Sequence, residues 1–319
     1  MVNNKVKIIF IGTSEFGAII LEKLVTSTNK PFLVISAPDK AVGRKQIVTP
    51  PPVATLAKKH KILVVQPERI SDSSDEIKRL SPDLIILAAY GQIIPENILV
   101  APKYGSINVH PSLLPLWRGS SPIQHAILNG DKKTGVTIMK MTTKLDAGPI
   151  LFQKEIEMTG EEYFQELHDK LAKLGAELLN EAILKIFSGK ISVRPQDDSK
   201  ATYAKILKKE DGKIDWRKPA EVLERRIRAL YPWPGSYAIF NDGTKSIKIK
   251  ILKARTLKSP DKKKYPFGKV LIVPQNEIGV QCGKDFLTIE RLQMEGKKEM
   301  AAEDFLRGHP DFIGATLGK

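Results

Sequence analysis

The chain is expected to be an α/β protein in two parts: a domain built on a mostly parallel sheet, then a small antiparallel barrel. Two observations carry the first part and one the second. Short unbroken apolar runs, at Lys7 to Ile11, Phe32 to Ala37 and Leu84 to Ala89, alternate with segments of helical spacing. Unbroken rather than alternating apolar runs fit strands covered on both faces, with helices as crossovers. Toward the C-terminus the pattern changes to short alternating strands split by turns, as a small barrel requires.

The elements follow in order. Gly12 ends the first run, and Ala18 to Val25 has helical spacing. Ala54 to Lys59 and Ser74 to Leu80 read as helices, with Ile62 to Val65 extended between them. Ile123 to Leu128 is a short helix, with Ser121 as N-cap, Pro122 at its first position and Asn129-Gly130 as its stop. Val136 to Met141 and Ile150 to Ile156 read as strands. Phe164, Leu167, Leu171, Leu174, Leu178 and Leu179 recur at helical spacing within Glu161 to Phe187, an amphipathic helix that closes the first domain before Gly189. Ser192 to Ala201 is polar and holds Pro195 and Asp197-Asp198, a linker composition. Within Asp215 to Leu230 one helix places Leu223, Ile227 and Leu230 on one side. From Ser246 to Leu252, Ile247, Ile249 and Ile251 alternate with Lys248 and Lys250. Gly268 to Val273, Ile278 to Cys282 and Phe286 to Leu292 continue as strands. The expected boundaries are 1–190 for the α/β domain, 191–206 for a linker and 207–319 for the barrel.

Composition narrows the class. Of the 319 residues, 42% are hydrophobic and 27% charged, as in an ordinary globular protein. No stretch reaches the ~20 apolar residues that span a bilayer, so no membrane association is expected. The first apolar run is too short for a signal-peptide core. Cys282 is the single cysteine, so no intrachain disulfide forms; a reducing cytoplasm is expected. The net charge is +15, and residues 201–319 hold 25 Lys+Arg against 15 Asp+Glu. A basic C-terminal part points to a polyanionic partner such as nucleic acid.

The chemistry centres on Ser106-Ile107-Asn108-Val109-His110-Pro111. Side chains alternate along a strand, so Asn108 and His110 share one face and Ile107 and Val109 the other. Pro111 tends to end the strand. An amide and an imidazole thus stand together at a strand's carboxyl end, where ligands bind in open α/β sheets. Both groups can donate hydrogen bonds to a developing oxyanion; equally, they can simply cap a strand. Downstream, Asp146 lies in Leu145-Asp146-Ala147-Gly148-Pro149, a composition that suits a turn. Next to His110, its carboxylate would fix the tautomer of the ring. Gly12-Thr13-Ser14-Glu15-Phe16-Gly17 has Ser14 where a dinucleotide fingerprint has its middle glycine, so a tight strand-to-helix turn is the better reading. Lys40, Arg44 and Lys45 lie in a basic loop with Gly43, followed by Pro50-Pro51-Pro52; they suit phosphate contact or plain solvation. Lys262-Lys263-Lys264 reads as a solvated basic loop. The histidines show no metal-ligand spacing.

Several of these stretches together resemble the 10-formyltetrahydrofolate-dependent formyltransferases. They are Ala89-Tyr90-Gly91-Gln92-Ile93-Ile94-Pro95, Asn108-Val109-His110-Pro111-Ser112-Leu113-Leu114-Pro115, Trp117-Arg118-Gly119 and Leu145-Asp146-Ala147-Gly148. Within that family the chain is most similar to the members that formylate methionyl-tRNA. The Gly43-Arg44 loop with Thr49-Pro50-Pro51-Pro52-Val53, the stretch Ile214-Asp215-Trp216, and Arg226 to Pro234 carry that narrower likeness. Lys45 stands where many relatives have a second glycine after the arginine.

The resemblance implies a Rossmann-like catalytic domain joined to an OB-like barrel. It implies Asn108, His110 and Asp146 as the catalytic set, with Asn108 and protonated His110 on the oxyanion and Asp146 keeping the ring protonated and relaying the amine's proton. Ser112, Leu113, Leu114 and Pro115, with Tyr90, Gly91, Gln92 and Ile93, would line the folate site. Lys40, Arg44, Lys45, Lys248 and Lys250 would contact tRNA. The implied substrates are 10-formyltetrahydrofolate and initiator methionyl-tRNA, with no metal, and a monomer is expected. Two readings compete: a formyltransferase for an amino-sugar nucleotide or a formyl-folate hydrolase, and a nucleic-acid-binding barrel on an inert α/β domain.

Overall fold

The first apolar run becomes β1 (Ile8–Gly12), whose five residues are all buried. Residues 6–43, 45–259 and 265–318 are described in this computed structural model. β1 leads into α1 (Glu15–Val25), which buries Phe16, Ala18, Ile20, Leu21 and Leu24 on one side. The turn between them is tight for a packing reason. A side chain at either Gly12 or Gly17 would come within 2.7 Å of the carbonyl oxygen of Ala88, so both glycines let the helix start close against the sheet.

β2 (Leu33–Ile35) follows, then β3 (Lys40–Val42), β4 (Ile47–Thr49), α2 (Pro52–Lys59), β5 (Leu63–Val65), α3 (Ser74–Leu80), β6 (Leu84–Ala88), α4 (Glu96–Leu99) and β7 (Ser106–His110). β8 (Arg118–Gly119), α5 (Pro122–Asn129), β9 (Lys133–Lys140), β10 (Ile150–Glu157), α6 (Phe164–Phe187) and β11 (Tyr203–Ala204) follow in the chain. The main sheet runs β10-β9-β7-β6-β1-β2-β5. β7, β6, β1, β2 and β5 are parallel neighbours, and β9 and β10 run antiparallel at one edge. β1, β6 and β7 are buried along their whole length, β1 and β6 as their unbroken apolar sequence requires, β7 with Ser106, Asn108 and His110 buried among its residues.

Two stretches differ from the sequence expectation. Lys40 to Thr49, expected as a basic loop, pairs as a hairpin with Lys40 opposite Thr49 and Val42 opposite Ile47. β-Branched residues flank a turn in which Gly43 and Gln46 take positive φ, which stabilises such a hairpin. The polar stretch expected as a linker is packed as far as residue 204. Arg194 exchanges both backbone hydrogen bonds with Ile150, at 2.8 and 2.9 Å, and β11 pairs in parallel with β8. Most of its polar side chains stay exposed, but half-buried Gln196 makes its hydrogen bonds inside the fold.

The chain divides into two compact units: residues to Pro122 with Lys133–Glu157 and Glu166–Ala204, and Ile123–Lys132 with Met158–Gln165 and the residues from Lys205 onward. The second unit holds α7 (Ala220–Leu230), β12 (Ser236–Asn241), β13 (Ser246–Leu257), β14 (Val270–Val273), β15 (Glu277–Gln281), β16 (Phe286–Met294), β17 (Glu299–Ala301) and α8 (Ala302–Gly308). Its antiparallel sheet runs β12-β13-β16-β15-β14, with β17 on β16. The C-terminal residues stitch its two edges: Gly318 bridges Ile239 of β12, and Thr316 bridges Lys269 beside β14. The sheet is therefore curled into a half-barrel around Trp216, Phe240, Leu287, Leu292, Phe305 and Phe312. α7 covers it with Leu223 and Ile227, as its spacing required. On the same helix buried Arg228 is held by Glu224 at 2.5 and 2.8 Å and donates to the Glu162 carbonyl at 2.9 Å. Among the described residues no helix is long and apolar enough to cross a membrane.

Candidate active site

β7 carries Asn108 and His110 to the carboxyl end of the parallel strands. Its register is fixed from both sides: Asn108 lies opposite Leu87 of β6 and Met139 of β9, and His110 opposite Thr137. Asn108 and His110 are 7% and 4% exposed. Among the described residues no hydrogen bond holds the Asn108 side-chain amide. The small accessible part of Asn108 leaves this amide free to hydrogen-bond a ligand or water.

The turn after β7 is pinned by buried hydrogen bonds. The Ser112 hydroxyl donates to the Leu116 carbonyl at 2.6 Å. The Thr137 hydroxyl donates to the Ser112 carbonyl at 2.7 Å and accepts from the Leu114 amide at 3.1 Å. Gln153 donates to both Thr137 and the Leu114 carbonyl at 2.9 Å. This fixes the course of the chain to Trp117, whose φ is +60°. The Trp117 carbonyl lies 3.0 Å from His110 Nε2. A carbonyl only accepts, so Nε2 carries a hydrogen, and Nδ1 is the nitrogen left for exchange.

Nδ1 faces the Asp146 carboxylate, with 3.8 Å to Oδ2. Asp146 sits at φ +46°, in the left-handed region that an Asp tolerates better than most residues. Its Oδ2 accepts from the Gly119 amide at 2.8 Å. The turn itself is crowded: a side chain at Gly148 would fall 1.7 Å from the Lys140 carbonyl oxygen. The structure therefore brings an open amide, an imidazole of defined tautomer and a carboxylate together at the carboxyl end of β7. An open amide beside a proton-exchanging pair suits stabilisation of a tetrahedral oxyanion and transfer of a proton.

The remaining predicted residues are placed as follows. Ser112 and Leu114 are buried, with Leu114 packed on Met139 and Ile150, so what this stretch offers a ligand is chiefly backbone. Leu113 and Pro115 are half-buried in the same turn. Tyr90 follows β6 and packs on the core there, and burial pushes its phenol above the ordinary tyrosine range. Gln92 is committed on both sides of its amide, accepting from the Ile70 amide at 2.9 Å and donating to the Glu68 carbonyl at 3.0 Å. Gly91 has open space beside its Cα, and Ile93 is 89% exposed. Lys40 and Lys45 are exposed on the β3–β4 hairpin, which also presents Val42, Ile47 and Val48. Arg44 and Lys262-Lys263-Lys264 lie outside the described residues. In the second unit Lys248 sits 3.8 Å from the centre of the Tyr237 ring, and Lys250 runs beside Gly235. Among the described residues no group of three or more His, Cys, Asp or Glu is placed to hold a metal ion.

Sequence reasoning missed Gln196 and Thr202. Gln196 donates to the Asp146 and Gly148 carbonyls, and Thr202 accepts from the Trp117 amide. It also gave no role to the side chain of Arg118, which is 3% exposed. Nothing in the polarity of Ser192 to Ala201 marks these contacts.

The geometry can be set beside known proteins. Residues 5–183 match the family described as Formyl transferase, and residues 206–310 match Formyl transferase, C-terminal domain. Methionyl-tRNA formyltransferase of Geobacillus sp. (strain WCH70) is 45% identical, over 98% of this chain and 98% of its own length. The protein of that name from Citrifermentans bemidjiense is 41% identical, over 98% and 96%. Among solved structures, the N-formyltransferase from Helicobacter canadensis, in complex with folinic acid and dTDP-3-aminofucose, superposes with a TM-score of 0.66 at 18% identity, covering 92% of this chain and all of that one. HypX from Aquifex aeolicus, in complex with tetrahydrofolic acid, gives a TM-score of 0.62 at 16% identity; the alignment covers 97% of this chain and 48% of HypX. These structural likenesses concern the fold. From the two full-length relatives and the two family matches, the chain belongs to the methionyl-tRNA formyltransferase family.

Proposed function

We propose that the protein transfers the formyl group of 10-formyltetrahydrofolate to the α-amino nitrogen of initiator methionyl-tRNA, giving N-formylmethionyl-tRNA and tetrahydrofolate. The observation that carries this reading is the unpartnered Asn108 amide beside the His110–Asp146 pair on one strand end. The names of the full-length relatives support the acceptor, and the folates bound to proteins of the same fold support the donor.

In this scheme the amine attacks the formyl carbon, and a tetrahedral oxyanion forms. Asn108 donates its amide hydrogens to that oxygen. His110 keeps Nε2–H on the Trp117 carbonyl and works through Nδ1. Asp146 holds the charge of the ring while the proton of the attacking amine is passed on, and the bond from the carbon to N10 breaks as N10 gains a proton. The 3.8 Å gap between Nδ1 and Oδ2 is one that a bound substrate or water can close. Backbone groups of Tyr90, Gly91, Gln92 and Ile93, with Ser112, Leu113, Leu114 and Pro115, line the folate. Lys40, Arg44 and Lys45, together with Lys248 and Lys250, meet phosphates of the tRNA. No metal takes part, and the protein acts as a cytoplasmic monomer without membrane attachment.

An acceptor comparison tests the reading. Equal amounts of charged initiator tRNA, charged elongator tRNA and an amino-sugar nucleotide are offered with labelled 10-formyltetrahydrofolate. Label is expected on the initiator species; label on the sugar alone, or release of formate without an acceptor, would replace this reading with one of its competitors.

A further inference from the structure

We propose that the short segment 196–202 is a positioning strap for the reacting pair, with Gln196 setting the Asp146 carboxylate and Thr202 setting the His110 ring. This rests on the reading of Asn108, His110 and Asp146 as the reacting set.

The Gln196 arm begins with a strained residue. Asp146 is held at φ +46°, a conformation that survives only where its surroundings enforce it. The Gly119 amide fixes the carboxylate, and Gln196 fixes the backbone. Its amide nitrogen donates to the Asp146 carbonyl at 2.8 Å and to the Gly148 carbonyl at 2.6 Å. Its amide oxygen accepts from Arg118 Nε at 3.1 Å and Nη2 at 2.8 Å. Arg118 is buried, and Nη2 also reaches Asp198 at 2.6 Å. Arginine only donates and carbonyls only accept, so the orientation of the amide is forced and its full hydrogen-bonding capacity is used. Glutamate could keep the Arg118 side of this bridge but could not donate to the turn.

The Thr202 arm acts on the ring. The Thr202 hydroxyl accepts from the Trp117 amide at 2.8 Å. The backbone of Thr202 donates to the Pro115 carbonyl at 3.2 Å and accepts from the Arg118 amide at 2.9 Å. Trp117 is thus held at φ +60° with its carbonyl on His110 Nε2 at 3.0 Å. One strap therefore catches both partners of the 3.8 Å His110–Asp146 gap, each through a residue at positive φ. Neither Gln196 nor Thr202 is assigned a contact with substrate. Loosening either arm should change how the pair meets the reacting carbon, leaving binding of tRNA and folate in place.

Gln196→Glu and Thr202→Val test the two arms, with Asn108→Ala as reference. With 10-formyltetrahydrofolate and methionyl-tRNA, kcat is expected to fall about 10- to 100-fold in each strap variant, as a misplacement on the order of 1 Å can cause. KM for both substrates should stay near that of the parent protein, and the unfolding midpoint should move by only a few degrees. The imidazole 15N resonances of His110 should shift in both variants. Parent-like kcat with unmoved His110 resonances, while Asn108→Ala is inactive, overturns the strap and leaves the site reading intact. Full activity of Asn108→Ala overturns the site reading itself. A loss of turnover that follows a lowered unfolding midpoint, with His110 resonances unmoved in the folded protein, also overturns the strap.

Discussion

His110 presents Nδ1 to the carboxylate of Asp146 at 3.8 Å, while its other nitrogen is tied to a backbone carbonyl. The charge of Asp146 and the shape of its turn can be separated by substitution. An asparagine in its place would still offer an oxygen to the Gly119 amide and tolerates positive φ, but it carries no charge toward the ring. Asp146→Asn is therefore expected to lose on the order of 10²-fold or more in kcat with the unfolding midpoint nearly unchanged. Steady-state kinetics beside a thermal melt check this; equal turnover would show the charge to be idle.

Gly148→Ala should behave in the opposite way. Its new methyl would overlap the Lys140 carbonyl, 1.7 Å away, so the turn that carries Asp146 must move. Activity and unfolding midpoint should fall together, by about 1–3 kcal/mol in stability as overpacking typically causes. A variant as stable and as active as the parent would mean that this turn can relax freely.

The lysines of β13 predict a salt signature. Binding of methionyl-tRNA should weaken linearly in log K against log salt. Lys248→Ala or Lys250→Ala should each reduce that slope by about 1, as the loss of one phosphate contact does. Filter binding across a salt series measures it. Unaltered slopes in both variants would move the tRNA contacts off β13.

Cys282 is buried, and burial drives its thiol up to about 12 from an ordinary 9.0. The folded thiol should resist iodoacetamide at about pH 8, below its ordinary titration range, and react only on unfolding. The sign for stability follows: a protonated thiol is favoured in the fold, so stability is flat below about pH 9 and falls as pH rises from there toward 12. Mass spectrometry with and without denaturant reads the first effect. Rapid labelling of the folded protein would contradict it.

Several features were legible because a local rule determined them. Alternation alone placed Asn108 and His110 on one face of β7, and the unbroken apolar runs revealed β1 and β6 as buried strands. Asp146 was different. Its turn composition was visible, but its partner lay in another segment, and only the likeness of Leu145-Asp146-Ala147-Gly148 to a known family joined the two. The β3–β4 hairpin was hidden because Lys40, Gly43 and Lys45 gave it the composition of a loop. Gln196 and Thr202 were unreadable for another reason: a polar side chain looks the same in sequence whether water or buried Arg118 takes its hydrogen bonds. The closure of the half-barrel by Thr316 and Gly318 rests on single-residue bridges, which leave no periodicity to detect.

The most direct test is transfer of labelled formyl from 10-formyltetrahydrofolate to charged initiator tRNA by Asn108→Ala. Its amide makes no protein hydrogen bond among the described residues, so folding should be untouched. Loss of about 10²- to 10³-fold in turnover is the predicted result, as for removal of one oxyanion donor. Undiminished transfer by a folded Asn108→Ala protein would contradict the account.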